Sequence, residues 1–315
     1  MGTRHLTLLD GGMGRELERS GAPFRQPEWS ALALIESPDH VLQAHRAFID
    51  AGAQVITTNS YAVVPFHLGE ERFAASGQAL ASLAGRLARE AADQTEGVRV
   101  AGSLPPVCGS YRPDLVDAQR SLEVLQALVG GLAAHVDFWL AETLSALSEA
   151  YAVKKALADD DKPLWLSFTL ADGLEPGAAP QLRSTERVEE AVAVALELGA
   201  SALLFNCSQP ETMGAAIKEA TRVLGENPQA LRLGVYANAF PVVSAEAEAN
   251  STLLPIRADL GPAAYLQWAQ QWVEQGASIV GGCCGIGPEH IAELRRHLHH
   301  RRTPQVKPER IIELP

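Results

Sequence analysis

Short apolar runs alternate with longer amphipathic segments along the whole chain. The runs are rich in β-branched and aromatic residues and are bounded by Gly or polar residues, as buried parallel strands are. The predicted strands span residues 6–10, 54–58, 98–103, 137–142, 164–170, 202–207, 231–236 and 278–282. The segments between them have helical spacing and predict helices over residues 38–51, 69–95, 117–135, 145–157, 184–198, 211–224, 261–275 and 288–299.

This strand-then-helix repeat predicts an α/β fold, a (β/α)8 TIM barrel with its active site at the carboxyl ends of the strands. A doubly wound open sheet has the same alternation, but no GxGxxG motif follows the first strand. Gly-Ala pairs at positions 52–53, 199–200 and 276–277 stand before strands, where glycine commonly ends a helix. We expect one domain over residues 1–300, followed by a tail over 301–315.

Composition and charge narrow the class of function. The 315 residues are 47% hydrophobic and 20% charged, which is ordinary for a globular protein. A formal charge of −12 disfavours nucleic-acid binding and suits a cationic small molecule. No apolar stretch approaches the ~20 residues of a membrane span, and no export signal is evident, so we expect no membrane contact and a cytoplasmic protein. The oligomeric state stays open, a homo-oligomer included.

Three of the four cysteines lie at predicted strand ends. Cys207 ends the sixth strand, and Cys283 and Cys284 follow the eighth within Gly281-Gly282-Cys-Cys-Gly285. One strand separates these two in a barrel wall, about 10 Å at ~4.8 Å per strand, so the side chains can meet. Three thiolates with one exchangeable position are typical of a catalytic zinc site. The alternatives are packing of small apolar residues and a vicinal disulfide. Cys108 follows two prolines in a loop and is interpreted as an incidental thiol.

Two further strand ends carry acidic residues. Asp10 opens Asp10-Gly11-Gly12-Met13-Gly14, where glycine amides can bind a carboxylate and Asp10 an ammonium; a simple tight turn is the alternative. Glu142 follows an apolar strand and is expected to face the barrel mouth, where it can bind an ammonium or else cap the next helix. The histidines at 67, 135, 297, 299 and 300 are interpreted as solvated.

With these motifs assembled, the chain resembles the homocysteine S-methyltransferase family over nearly its whole length. The matching segments are Leu8–Gly14 with Glu16-Leu17-Glu18, Gly52–Tyr61, Glu142-Thr143-Leu144, Asn206-Cys207 and Gly281–Gly285. It looks most like the short, stand-alone members that methylate homocysteine from S-methylmethionine or S-adenosylmethionine.

The resemblance implies transfer of a methyl group to the thiol of L-homocysteine, which gives methionine. It implies a zinc ion held by Cys207, Cys283 and Cys284. Asp10 and Glu142 would lie at the homocysteine amino group, with backbone near Gly11 and Gly12 at the carboxylate. Asn206 would help shape the site, and Thr58 belongs to the same set of strand-end residues.

Several residues bear on the identity of the methyl donor. Members that use betaine carry Tyr directly after the glutamate, whereas this chain has Thr143. Trp29 and Tyr61 can cradle a cationic methyl group through their ring faces, which favours a sulfonium donor. Arg15 stands where the family usually has a small residue or Thr, and Leu104-Pro105-Pro106 replaces a more glycine-rich loop.

Other functions remain open at this point. A betaine-type or other thiol methyltransferase shares the same motifs. A redox or sensor protein would cycle Cys283 and Cys284 as a disulfide and carry no catalytic zinc. A homocysteine-binding module would pass the thiol to a separate cobalamin protein.

Overall fold

The computed structural model describes residues 5–298 except 159, 174, 176 and 243–254. The strands are β1 (Thr7–Leu8), β2 (Val55–Thr57), β3 (Arg99–Leu104), β4 (Phe138–Leu144), β5 (Leu164–Phe168), β6 (Ala202–Asn206), β7 (Arg232–Ala237) and β8 (Ile279–Gly282). They form one parallel sheet in the order β1-β8-β7-β6-β5-β4-β3-β2. The predicted tail over residues 301–315 lies outside the described residues, as do His299 and His300.

The sheet closes on itself. Leu9 pairs in parallel with Val55. Asp10 N donates to the Val55 carbonyl at 3.0 Å, and Gln54 N donates to the Leu8 carbonyl at 2.8 Å. β1 and β2, the ends of the strand order, are therefore joined, and the fold is the (β/α)8 barrel that the sequence predicts rather than an open sheet.

Helices surround the barrel. The long ones are α3 (Pro38–Asp50), α5 (Glu70–Ala92), α6 (Ala118–Leu132), α7 (Leu147–Leu157), α8 (Val188–Glu197), α9 (Pro210–Leu224), α10 (Pro262–Glu274) and α11 (Pro288–Leu298). The short ones are α1 (Met13–Arg19), α2 (Ser30–Glu36) and α4 (Pro65–Leu68). Each long helix matches a predicted one, with ends that differ by up to four residues. The short helices were not predicted, because they lie in loops over the barrel mouth that lack a sustained helical period.

Glycine ends helices where the sequence predicts it. Gly52 has φ 105°, in the left-handed region, and Ala53 N donates to the Phe48 carbonyl at 3.0 Å. Gly276 has φ 123°, and Ala277 N donates to the Trp272 carbonyl at 2.9 Å. This long-range closing bond is that of a Schellman turn, which turns the chain sharply into the next strand.

The interior of the barrel changes character along its axis. Towards the amino ends, Phe138 and Trp165 pack with their ring centres 4.2 Å apart. Towards the carboxyl ends the buried side chains are polar, among them Ser103, Ser167 and Asn206. Aromatic rings thus fill the base of the barrel, and the polar end faces the site. Among the described helices, none is long and apolar enough to cross a membrane.

Candidate active site

A pocket opens at the carboxyl ends of the strands, where the sequence places the chemistry. Its lining comes from the carboxyl-terminal parts of β2, β4, β7 and β8 and from the loops after β1, β2, β3, β6, β7 and β8. The polar and sulfur groups are at its floor, and aromatic residues form much of its wall. The aromatic lining residues are Phe24, Trp29, Tyr61, Tyr111, Tyr236 and Phe240.

Three cysteines meet at the floor of this pocket. Cys207 follows β6, and Cys283 and Cys284 follow β8. Cys207 Sγ lies 2.8 Å from Cys283 Sγ, and the three sulfur atoms all lie within 4.8 Å of one another. All are free thiols. Cys108 lies outside this group and packs against the core from a half-buried position.

The backbone at Cys207 is held in an unusual conformation. Its φ is 53°, in the left-handed region that a side chain with a Cβ seldom adopts. Its carbonyl accepts hydrogen bonds from the Tyr111 hydroxyl and from Thr169 Oγ1, each at 3.2 Å. These bonds offset the strain and fix the direction of the Cys207 side chain towards the other two sulfurs.

The second side of the cluster depends on close approach of two loops. A Cβ at Gly12 would lie 2.6 Å from the Cys283 carbonyl oxygen and 2.9 Å from Cys284 Cα. Only glycine therefore lets the loop after β1 pack against the loop that carries the adjacent cysteines. Gly12 N donates to the Ile286 carbonyl at 2.9 Å, so that amide is not free for a ligand, contrary to the expectation from sequence.

The sulfur atoms interact strongly with one another. Hydrogen bonds from Cys207 and Cys283 lower the pKa of Cys284 well below its usual value, while hydrogen bonding to Cys207 raises the pKa of Cys283. The cluster stabilises one thiolate through hydrogen bonds from the other two thiols. Three thiolates would repel each other unless a cation lay between them. Thiolate donors at this spacing with an open side towards the pocket fit a zinc ion with one exchangeable position.

Two buried carboxyl groups stand beside the cysteines. Burial raises the pKa of Asp10 to about 8, although hydrogen bonds from Thr57 N at 2.8 Å and Thr57 Oγ1 at 3.2 Å act to lower it. Burial likewise raises the pKa of Glu142 to about 7, although it accepts from Ser103 Oγ at 2.6 Å and from the Tyr236 hydroxyl at 3.0 Å. An ammonium group placed between them would restore both charges, since neither carboxylate pairs with a cation in the part of the chain that the structure describes.

Comparison with known proteins agrees with this geometry. A family model described as homocysteine S-methyltransferase matches residues 7–298. The chain belongs to the homocysteine S-methyltransferase family. Homocysteine S-methyltransferase of Escherichia coli (strain K12) is 30% identical over 92% of this chain and 94% of its own length. Homocysteine S-methyltransferase 1 of Brassica oleracea var. italica is 28% identical over 93% of this chain and 94% of its own.

A solved structure shares the fold. The metallated form of the homocysteine methyltransferase MmuM from Escherichia coli superposes with a TM-score of 0.72 and 29% identity, over 92% of this chain and 96% of that one. The resemblance inferred from the motifs is thus confirmed. The chain is a methyltransferase that acts on homocysteine, and its cysteine cluster is able to hold a metal ion.

Asn206 helps to shape the site, but from beneath the pocket rather than as part of its lining. It is fully buried beneath the pocket. Its Oδ1 accepts from Thr143 N at 2.9 Å and from Ser167 Oγ at 2.7 Å, and its Nδ2 donates to Thr143 Oγ1 at 2.8 Å. Asn206 therefore ties β6 to β4 and β5, and shapes the site through the backbone next to Glu142.

The other predicted contact residues line the pocket. Thr58 is buried, and its hydroxyl pairs with Ser60 Oγ at 2.8 Å while accepting from Ser103 N at 3.0 Å. Tyr61 pairs its hydroxyl with Ser110 Oγ at 2.5 Å. Trp29 packs edge-on against Phe24 with ring centres 5.1 Å apart. Glu142 lies within β4 rather than at its end and does not cap the next helix, which begins at Leu147.

Sequence reasoning missed residues that the loops bring in. Tyr111 packs on Cys207, and Phe240 also lines the pocket. Neither sits at a strand end, so no spacing signal marks it. The interpretation of His67 as solvated was wrong: it is buried, and its Nδ1 lies 3.0 Å from the Pro27 carbonyl oxygen.

Proposed function

We propose that this protein transfers a methyl group from a sulfonium donor to the thiol of L-homocysteine, with zinc held by Cys207, Cys283 and Cys284, and releases methionine. The observation that carries the proposal is the convergence of three sulfur atoms within 4.8 Å from strands far apart in sequence. The metallated form of the E. coli relative supports a metal in this family.

The carboxyl groups and the backbone of the pocket floor orient the acceptor. Asp10 and Glu142 receive the homocysteine ammonium, and its charge lowers the raised pKa of both. The backbone at Gly11 and Gly12 approaches the carboxylate end, with the Gly12 amide already bonded to Ile286. Thr58 lines the same floor. The acceptor sulfur then points towards the three cysteines.

The reaction is a direct displacement. The homocysteine thiolate sulfur attacks the methyl carbon in line with the bond to the donor sulfur. A carbon–sulfur bond forms while the donor bond breaks, and its electron pair passes to the donor sulfur, which becomes a neutral thioether. When bound, zinc supplies the positive charge that keeps the acceptor thiol deprotonated at neutral pH. The protein contributes alignment and exclusion of water.

The donor is assigned to the sulfonium class on the aromatic wall of the pocket. Trp29 and Tyr61 line the same pocket as the cysteines, and the faces of such rings stabilise a cationic methyl donor. Thr143 occupies the position that holds Tyr in betaine-using members. S-Methylmethionine and S-adenosylmethionine are the donors we propose.

The test combines metal analysis with product detection. Protein purified under reducing conditions without chelator is expected to hold about one zinc per chain. Cys207→Ala, Cys283→Ala and Cys284→Ala should each lose zinc and methionine formation, whereas Cys108→Ala, as the matched control, should retain both. A zinc-loaded wild-type protein that makes no methionine with any sulfonium donor contradicts the proposal.

The redox alternative makes the opposite prediction for the same preparation. A protein that cycles a Cys283–Cys284 disulfide carries no stoichiometric zinc and shows a two-thiol difference between oxidised and reduced samples. Zinc retained by the reduced protein, together with loss of zinc on oxidation of the thiols, supports the methyltransferase assignment over this alternative.

A further inference from the structure

The charges of the pocket are distributed unevenly between its floor and its rim. The two carboxyl side chains of the lining, Asp10 and Glu142, lie at the floor. Arg15 is the sole basic side chain among the described residues that line the pocket. The zwitterionic acceptor accounts for the carboxyl groups at the floor. The positive charge of Arg15 helps to lower the pKa of Cys284, and it also faces the space that the methyl donor would occupy.

Arg15 is held in the wall by its position on α1. It follows Gly12, which packs on the backbone of Cys283 and Cys284, by about one helical turn. Its guanidinium carbon lies 5.7 Å from the Phe240 ring centre, and its side chain is only 17% exposed. Nη1 donates to Glu18 Oε2 at 2.8 Å, and Glu18 is 41% exposed. Glu18 therefore holds the guanidinium from the solvent side.

A guanidinium at this place penalises a donor that carries only positive charge. A sulfonium cation near Arg15 meets like-charge repulsion that the ring faces only partly offset. A donor with a carboxylate turns the same group into an attraction, because the planar guanidinium has five N–H donors and binds carboxylates in pairs of bonds.

We propose that Arg15 binds the carboxylate of the methyl donor and thereby selects sulfonium amino acids over sulfonium compounds that lack a carboxylate. This assignment rests on the proposed sulfonium-dependent function. It places the donor with its carboxylate at the rim beside Phe240 and its methyl group towards the cysteines. The specificity of the donor site then comes from one side chain, at the position that the motif comparison marks as unusual.

The test compares two donors in two variants. With S-methylmethionine as donor, Arg15→Thr is expected to raise the donor KM by about tenfold to a hundredfold, the usual effect of losing a charge-assisted hydrogen bond. With trimethylsulfonium, which has no carboxylate, the same change should leave the donor KM unchanged or lower it. The homocysteine KM of the zinc-saturated variant should stay at its wild-type value. With S-methylmethionine, the donor KM of Arg15→Lys should lie between those of the wild type and Arg15→Thr.

Arg19→Thr is the matched control, since Arg19 is on the same helix, is 64% exposed and pairs with Glu16. This variant should leave the KM of both donors unchanged. Equal effects of Arg15→Thr on both donors overturn the inference, and so does a raised homocysteine KM, which would assign Arg15 to the acceptor carboxylate. A wild-type protein inert with both donors counts against the proposed function itself, whereas an active wild type with an unaltered Arg15→Thr variant counts only against the role of Arg15.

Discussion

The guanidinium carbon of Arg183 lies 4.3 Å from the ring centre of Tyr111, the residue whose hydroxyl donates to the Cys207 carbonyl. Arg183 Nε also donates at 3.1 Å to Thr169 Oγ1, the second donor to that carbonyl. Its Nη2 pairs with Asp172 at 3.1 Å, with side chains only 4% and 0% exposed. One buried ion pair thus supports both groups that hold the Cys207 backbone.

Arg183→Met is expected to destabilise the fold by about 3–5 kcal/mol, because it removes the cation that pairs with the buried Asp172 carboxylate. Zinc affinity should fall by about tenfold or more, since outer groups orient metal ligands. Urea unfolding and chelator competition measure the two effects. The double variant Arg183→Met/Asp172→Asn should recover much of the stability but not the zinc affinity. The exposed Arg187→Met is the control, and an equal loss there would contradict this account.

Asn206→Ala removes the amide that connects β4, β5 and β6. Thr143 N and Ser167 Oγ lose their acceptor inside the protein, and each such loss costs ~1–3 kcal/mol. We expect the free energy of unfolding to fall by at least about 2 kcal/mol in urea titrations. Thr143 has φ 59°, an unfavourable conformation that its bonds to Asn206 help to hold. Without these bonds the adjacent Glu142 should lose its fixed orientation, and the homocysteine KM should rise. Asn227→Ala, at an exposed loop position, should change neither quantity.

Gly12→Ala tests the close approach of the loops after β1 and β8. The added methyl group meets the backbone of Cys283 and Cys284, so the adjacent cysteines must move. Zinc affinity is expected to fall by more than about tenfold. At Gly14 the added methyl group would meet only the Phe24 ring at 3.2 Å. Gly14→Ala should therefore keep wild-type zinc affinity; a matching loss in both variants would argue against the role given to Gly12.

His45 makes a pH-dependent contribution to stability. It is fully buried on α3, and neither ring nitrogen has a hydrogen-bond partner among the described residues. Burial lowers its pKa from 6.5 to about 4. Between these values the unfolded chain binds a proton that the folded chain does not, so stability falls as the pH drops through this window, by about 3 kcal/mol in total.

His45→Leu should abolish this part of the acid sensitivity. Urea unfolding at about pH 7 and about pH 4.5 is expected to show a smaller loss of stability in the variant than in the wild type. The pKa of His67 is also lowered to about 4 by burial, but that residue is present in both proteins and cancels from the comparison. Equal losses of stability in the two proteins would show that His45 binds a proton equally well in the folded and unfolded chains, and would contradict this prediction.

The barrel was predictable because its signal is local. Each strand is a short apolar run and each long helix has its own period, and Gly52 and Gly276 mark the places where helices stop. The convergence of Cys207 with Cys283 was also predictable, because the wall of a parallel barrel fixes which strand ends are neighbours. The loops over the mouth carry no such period, so the short helix α1, which bears Arg15, was not anticipated.

The sequence by itself determined the eight-fold alternation, the cysteines that converge and the acidic residues on the strands, since each of these depends on residue type and on position along a strand. Only the tertiary structure decided that Asn206 acts from beneath the pocket, that Gly12 uses its amide internally and that Arg183 supports Cys207 through Tyr111. The physical reason is that hydrogen bonds and ring contacts between loops depend on distances across the barrel, which no spacing along the chain encodes.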